Sequence, residues 1–157
     1  MATGPWPGAV AASRDTSGIL TVVGAPFIEV RIMPTDLTVV LVNQPGSDAA
    51  AMQALGRAGV NIDGITGSGC AGEGILHILV ADATAARGAL EAAGQVIREE
   101  REVLVLPVQD RPGEGGAIMR RIADAGVNVD FIYLTTRGQL VVGAGDVERA
   151  RAAAGSA

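Results

Sequence analysis

The chain has 157 residues, of which 48% are hydrophobic, and a formal net charge of −5. That composition supports a packed core in one domain or two small ones, while the acidic balance and the scarcity of aromatic residues exclude a basic stripe or a base-stacking platform for nucleic acid. Cys70 stands alone, which excludes a disulfide framework and a C-x-x-C metal site.

No run reaches the roughly 18 apolar residues of a membrane span. The N-terminus has no cationic start followed by a clean apolar stretch. A cytoplasmic protein without a membrane partner is therefore the expectation. The N-terminal extension is assigned to residues 1–35. Within it, residues 1–17 hold Gly4, Pro5 and Pro7 and show no periodicity, so they read as disordered. Residues 18–32, GILTVVGAPFIEVRI, are rich in β-branched residues and fit strands. Two readings stay open for residues 1–32: an over-extended gene start, or the source of an extra strand.

From Leu37 the pattern becomes regular. Leu37 to Val42 is a short apolar run of strand length. Asn43-Gln44-Pro45-Gly46 ends it, because proline lacks a donor and turns its predecessor away from helix. Ser47 or Asp48 offers a side-chain cap for a helix running to about Ala58, with Met52, Leu55 and Gly59 on one side. Gly59 closes it. Val60 to Ser68 reads as the second strand and Ile75 to Ala81 as the third, joined by the Gly-rich turn GSGCAGEG. This turn resembles a phosphate loop only in glycine content, since it joins two strands and lacks the Lys-Ser/Thr ending. Asp82 or Thr84 opens a second helix through Ala93, and a fourth strand from Gln95 runs almost directly into the strand at 104–108. The order β-α-β-β-α-β is the ferredoxin-like pattern.

The pattern then recurs. Sliding residues 42–63, VNQPGSDAAAMQALGRAGVNID, forward until Pro45 meets Pro112 superposes Gly46 on Gly113, Met52 on Met119, Leu55 on Ile122, Gly59-Val60-Asn61 on Gly126-Val127-Asn128 and Asp63 on Asp130, without a gap. Two copies of one unit are implied, at 36–101 and 102–157. The second has helices expected at Glu114 to Ala125 and from Asp146 to about Ala154, strands at Val127 to Thr135 and Gln139 to Val142, and no fourth strand of its own. The expected fold is α+β: two antiparallel sheets, each with helices on one face, the second with an edge needing cover.

The paired P-G turns and A-G-V-N segments resemble the ACT domain, and their tandem arrangement resembles small stand-alone proteins of two ACT units. The resemblance covers residues 36–154. It implies a regulatory module that binds a small molecule, most often an amino acid, at interfaces between domains whose sheets join side by side. The turn after the first strand and the start of the second strand would line the ligand. The matching positions are Asn43, Gln44, Pro45 and Gly46 with Asn61 and Ile62 in the first repeat, and Asp110, Arg111, Pro112 and Gly113 with Asn128 and Val129 in the second. The chemistry suits a zwitterion: a helix N-terminus favours a carboxylate, glycine permits close backbone approach, and asparagine both donates and accepts. Asp110 offers an ammonium a charge that Asn43 does not. Local turn chemistry is the competing reading, with capping for Ser47 and Asp48 and self-bonding for the two asparagines.

His77, the single histidine, lies in the apolar strand ILHILVA and reads as a packed or interfacial residue. No serine, cysteine or carboxylate pair is patterned around it. No catalytic residue, metal ligand or cofactor is assigned. The expectation is a non-enzymatic amino-acid sensor that works as a homodimer and contacts a partner enzyme. The alternative is a ligand-free regulatory or docking subunit of an enzyme of amino-acid metabolism.

Overall fold

A computed structural model describes residues 12–14, 20–22, 34–70 and 72–155, with Cys70 described by its backbone alone. The chain divides into two compact units, Met1–Met33 and Pro34–Ala157. In the first, β1 (Ala12–Arg14) pairs antiparallel with β2 (Leu20–Val22). Residues 12–14 thus form a strand where disorder is expected from the sequence. Leu20–Val22 is a strand within the 18–32 segment where strands are expected, and the other expectations for residues 1–33 lie outside the described residues.

The second unit holds both repeats. The first repeat comprises β3 (Thr35–Val42), α1 (Ser47–Arg57), β4 (Gly64–Cys70), β5 (Glu73–Val80), α2 (Ala83–Ala92) and β6 (Val96–Glu102). Its antiparallel sheet has the order β4-β5-β3-β6, the ferredoxin-like order. Leu37, Val39 and Leu41 alternate along β3 and meet Leu76, Ile78 and Val80 of β5 beneath α1 and α2, with Leu55 and Leu90 as the main helical anchors. The second repeat comprises β7 (Leu104–Leu106), α3 (Glu114–Asp124), β8 (Val129–Leu134), β9 (Leu140–Ala144) and α4 (Val147–Ala154). Its sheet has the order β7-β9-β8, and Ile118, Ile122 and Ala150 close the core over it. The protein is α+β, with two ferredoxin-like units. Among the described residues nothing pairs with the edge of β7 that corresponds to the β6 side of β3.

Three details depart from the sequence reading. α1 has no side-chain cap; Gly46 precedes it at φ 92°, a left-handed conformation suited to glycine. Met52 is 42% exposed, and the buried stripe is Ala51, Ala54 and Leu55. Two alanines bring the helix close to the sheet, so the covered stripe is narrow and Met52 falls at its margin. The second strand begins at Gly64, because residues 58–63 first complete the helix C-terminus, where Val60 N–H donates to Leu55 O. Asp82 does cap α2, accepting from Ala85 N–H.

The repeats meet through the helix-free faces of their sheets. Leu79 and Val103 pack with Tyr133 and Val141, joined by Val105 and Phe131. Gly64 forms an antiparallel bridge with Thr135, and Thr136 N–H donates to Asp63 O at 2.8 Å. A side chain at Gly64 would sit 3.0 Å from the Tyr133 ring, so glycine sets this approach. Arg101 spans the junction, its guanidinium 2.9 Å from Asp130 and 4.7 Å from the Phe131 ring centre. No described helix is long and apolar enough to cross a membrane.

Candidate functional site

Asn43 and Gln44, at the start of the turn, help form one wall of an open cleft of about 390 Å³ in the first repeat. Its polar rim is Asn43, Gln44, Ser47 and Asp48 on the turn and helix side, and Thr66 and Ser68 on β4. Leu41, Met52, Ile65 and Leu76 make its apolar floor. Gly67 and Gly69 keep the β4 wall low. A Cβ on Gly69 would lie 2.9 Å from Asn43 Nδ2, so the Asn43 carboxamide rests against bare backbone there. Ser47 N–H donates to Gln44 O, and with no side-chain cap the N–H groups of Asp48 and Ala49 remain for another acceptor. The only charged rim residue is Asp48. The cleft therefore offers amide and hydroxyl groups, one carboxylate, a helix N-terminus and an aliphatic floor, a set that fits a small zwitterion.

Gln44, Pro45 and Gly46 also line a second groove of about 410 Å³ on the other side of the turn, closed by Gly94, Gln95 and Val96. Asn61 and Ile62 line neither. Asn61 Nδ2 donates to Asp63 Oδ1 at 2.8 Å, and Ile62 packs partly buried against the first core. The topology separates them from the turn. α1 leaves the sheet at one end of the repeat and delivers the chain to β4 at the other, about 16 Å away for an 11-residue helix.

The equivalent residues of the second repeat lie on its own turn. Asp110, Arg111, Pro112 and Gly113 are exposed, Gly113 having φ 90°, and α3 has no side-chain cap either. Arg111 pairs with Glu114 at 2.7 Å. Asn128 Nδ2 donates to Asp130 Oδ1 at 3.3 Å, and Val129 packs against the second core. Each asparagine is thus engaged with the aspartate two residues on.

The antiparallel bridge between Gly64 and Thr135 brings the start of β4 to the end of β8. β7 and β8 both run antiparallel to β9, so the end of β8 and the 109–113 turn share one end of the second repeat. Asn61 and Ile62 thus precede a strand that starts beside the end of the second repeat carrying the 109–113 turn. The contributions of Asp48, Thr66, Ser68 and Gly69 are missed by sequence reasoning. For Thr66, Ser68 and Gly69 the signal was the small-residue run ITGSG, which reads as a weak strand running into a loop, and Asp48 reads only as a helix cap.

His77 lies at the junction of the repeats. Its Nδ1 is 2.9 Å from Asp36 Oδ1, and its ring stacks on Phe131 with centroids 4.0 Å apart. Asp36 is fully buried and also accepts from Tyr133 Oη and Thr38 Oγ1. Among the described residues no cluster of three or more His, Cys, Asp or Glu side chains is placed to hold a metal ion.

No family model matches the chain, and no curated protein matches it. Solved structures do. Protein BT0572 from Bacteroides thetaiotaomicron superposes with a TM-score of 0.69 at 18% identity, over 78% of this chain and 86% of that one. The regulatory subunit of aspartate kinase from Thermus thermophilus, in its ligand-free form, gives 0.61 at 21% identity, over 78% and 91%. That from Thermus flavus gives 0.56 at 20% identity, again over 78% and 91%. At such identities the likeness establishes the fold alone.

Proposed function

We propose that this protein is a non-enzymatic, amino-acid-binding regulatory protein that acts through the pairing of ACT-type repeats, in the cytoplasm and as a homodimer. The observation that carries the reading is the cleft beside the Pro45-Gly46 turn, with its amide and hydroxyl rim, uncapped helix N-terminus and aliphatic floor. The ligand carboxylate takes the N–H groups of α1. Its ammonium faces Asp48 and the Asn43 carboxamide oxygen. Asn128 and Val129 approach this turn from another repeat, as Asn61 and Ile62 approach Asp110 to Gly113. The ligand then bridges repeats and favours one arrangement over another by its differential affinity. That arrangement is what a partner enzyme reads. Likeness in fold to regulatory subunits of aspartate kinase supports such a role.

A second reading is a docking subunit without a ligand. It is favoured by the bonds of Asn61 to Asp63 and Asn128 to Asp130, which occupy the side chains a ligand would need.

A thermal-shift screen of the twenty amino acids separates the two. A ligand that binds only the folded state adds roughly 2.7 kcal/mol at a hundredfold excess over its Kd. The sensor reading expects a rise in Tm from one or a few amino acids, lost in Asn43→Ala and reduced in Asn128→Ala. No shift from any of the twenty sinks it and leaves the docking subunit.

A further inference from the structure

Among the described residues of the second unit, the helix-free face of the first sheet is covered over only part of its length. Asp36, His77 and Leu79 lie under the second repeat. Toward the 43–46 turn the same strands carry a bare apolar surface. Val96, Val40 and Ile75 are cross-strand neighbours on β6, β3 and β5, and Val42 follows two residues beyond Val40. Alternation assigns the face: Val39, Leu41, Leu76 and Ile97 pack toward the helices, so their neighbours point away from them. Val42 and Val96 are 66% and 62% exposed.

Two observations identify what covers this surface. It is continuous with the existing contact between repeats, since half-buried Phe131 stacks on His77 two residues along β5 from Ile75. Its rim also carries charges of both signs, Glu73 and Arg98 and, beside Thr38 on β6, Glu99 near Arg101. Glu73, the partner of Val42 in the sheet, faces Arg98 at 3.5 Å, and both side chains are more than half exposed. An apolar centre with a paired acid and base at its edge is complementary to itself under a two-fold axis, Arg98 of one copy meeting Glu73 of the other. A strongly charged partner would be met by a rim of one sign.

We propose that Val40, Val42, Ile75 and Val96 form the centre of a homodimer interface, in which two copies pack their first sheets face to face. The proposal rests on the homodimer reading above and is independent of any ligand. Sheets in this arrangement stand about 10 Å apart, and a stable interface needs roughly 800 Å² from each copy, so the charged rim joins the contact. The groove beside the turn shares Val42 and Val96 with this surface.

Sedimentation of the full chain at micromolar concentration, with circular dichroism as the check on folding, tests it. Wild type is expected to be a dimer, and Val42→Glu/Val96→Glu a folded monomer. Ile132→Glu/Leu134→Glu alters the other exposed apolar pair and is expected to stay dimeric. Arg98→Glu should weaken the dimer about tenfold through like charges across the axis, and Arg98→Glu/Glu73→Arg should restore it. A wild-type chain that is monomeric throughout overturns both the homodimer reading and this surface. A dimer unaffected by Val42→Glu/Val96→Glu, or dissociated by Ile132→Glu/Leu134→Glu, overturns the surface alone. Should Val42→Glu/Val96→Glu fail to fold, the charge exchange at Arg98 and Glu73 decides, and a dimer indifferent to it overturns the surface.

Discussion

The phenol of Tyr133 donates a 2.7 Å hydrogen bond to Oδ2 of Asp36, a fully buried carboxyl group 97 residues earlier in the chain. Thr38 Oγ1 donates to the other oxygen at 3.2 Å, and with Nδ1 protonated His77 donates to it at 2.9 Å. One buried acid on the first repeat is thereby satisfied by its own sheet and by the second repeat together. Removing one partner of a buried group leaves the other to bear its desolvation, so Tyr133→Phe is expected to cost about 1–3 kcal/mol in urea unfolding. His77→Ala should cost less, because His77 retains some contact with solvent while Tyr133 is buried. Equal stability of Tyr133→Phe and wild type would mean that the two repeats are not energetically joined here.

The same contact has a pH signature. Burial, reinforced by the charge of Asp36 and the hydrogen bond to it, pushes the Tyr133 phenol above its ordinary value. The unfolded chain releases this proton near about pH 10, while the folded chain keeps it. Above that pH the unfolded state binds fewer protons, so the contribution present in full below pH 10 falls as pH rises. The chain has one tyrosine and no lysine, which leaves few other alkaline titrations. Wild type is expected to lose stability steeply above pH 10, and Tyr133→Phe to lack this component. Phenolate absorbance appearing in the folded protein near pH 10 would contradict the assignment.

Gly143 makes room for Phe131. A Cβ at position 143 would fall 2.4 Å from the Phe131 ring, too close for any van der Waals contact. The ring is held by His77 on the first repeat and by Arg101 across the junction. It yields only by giving up both. Gly143→Ala is therefore expected to destabilise by about 1–3 kcal/mol, the usual range for overpacking. Gly88→Ala, on an α2 position open to space, should instead stabilise by roughly 0.5–1 kcal/mol. Thermal unfolding of the two variants in opposite directions is the check.

The repeat, its element order and the missing fourth strand are legible because turn chemistry marks each boundary. Pro45-Gly46 follows the end of β3, Gly59 and Gly126 stop helices, and Asp82 caps its helix as expected, whereas β7 ends at Leu106, just before Pro107, two residues sooner than the expected 104–108 strand. What is hidden is which face of an all-apolar strand goes where. In the run Phe131-Ile132-Tyr133-Leu134 every residue is apolar or aromatic, so alternation is silent, yet Tyr133 is buried against the first repeat while Leu134 is 57% exposed. The partnership of Asp36 with Tyr133 has no local signal at all. For the site, the turn residues are legible by their resemblance to the ACT pattern. The β4 wall is not, because Thr66, Ser68 and Gly69 act by being small beside Asn43.

Helix capping divides the four helices into two classes, and this can be measured. Asp82 and Asp146 accept from the N–H groups of Ala85 and Arg149 at 2.9 Å. α1 and α3 follow left-handed glycines and have no side-chain cap. Asp82→Ala and Asp146→Ala are expected to cost about 1 kcal/mol each, whereas Ser47→Ala should cost less than about 0.5 kcal/mol. A loss at Ser47→Ala as large as at Asp82→Ala would show that α1 is capped in solution and its first turn closed to a ligand.

Gly69 offers the sharpest test of the cleft. Its backbone does not need the left-handed region, so alanine fits the strand without strain. The new Cβ would meet only the end of the exposed Asn43 side chain, 2.9 Å from Nδ2 and 3.3 Å from Cγ. A free carboxamide swings away at little cost, and Gly69→Ala should leave unfolding within about 0.5 kcal/mol of wild type. The swing takes Asn43 from the wall it shares with Thr66 and Ser68. If Asn43 bonds the ligand, affinity falls about fivefold, the worth of one hydrogen bond near 1 kcal/mol. Titration calorimetry with the amino acid found in the thermal-shift screen would measure it. Unchanged affinity in a folded Gly69→Ala protein removes Asn43 from the site and moves the ligand to the groove on the other side of the turn, where Gln44, Pro45 and Gly46 remain.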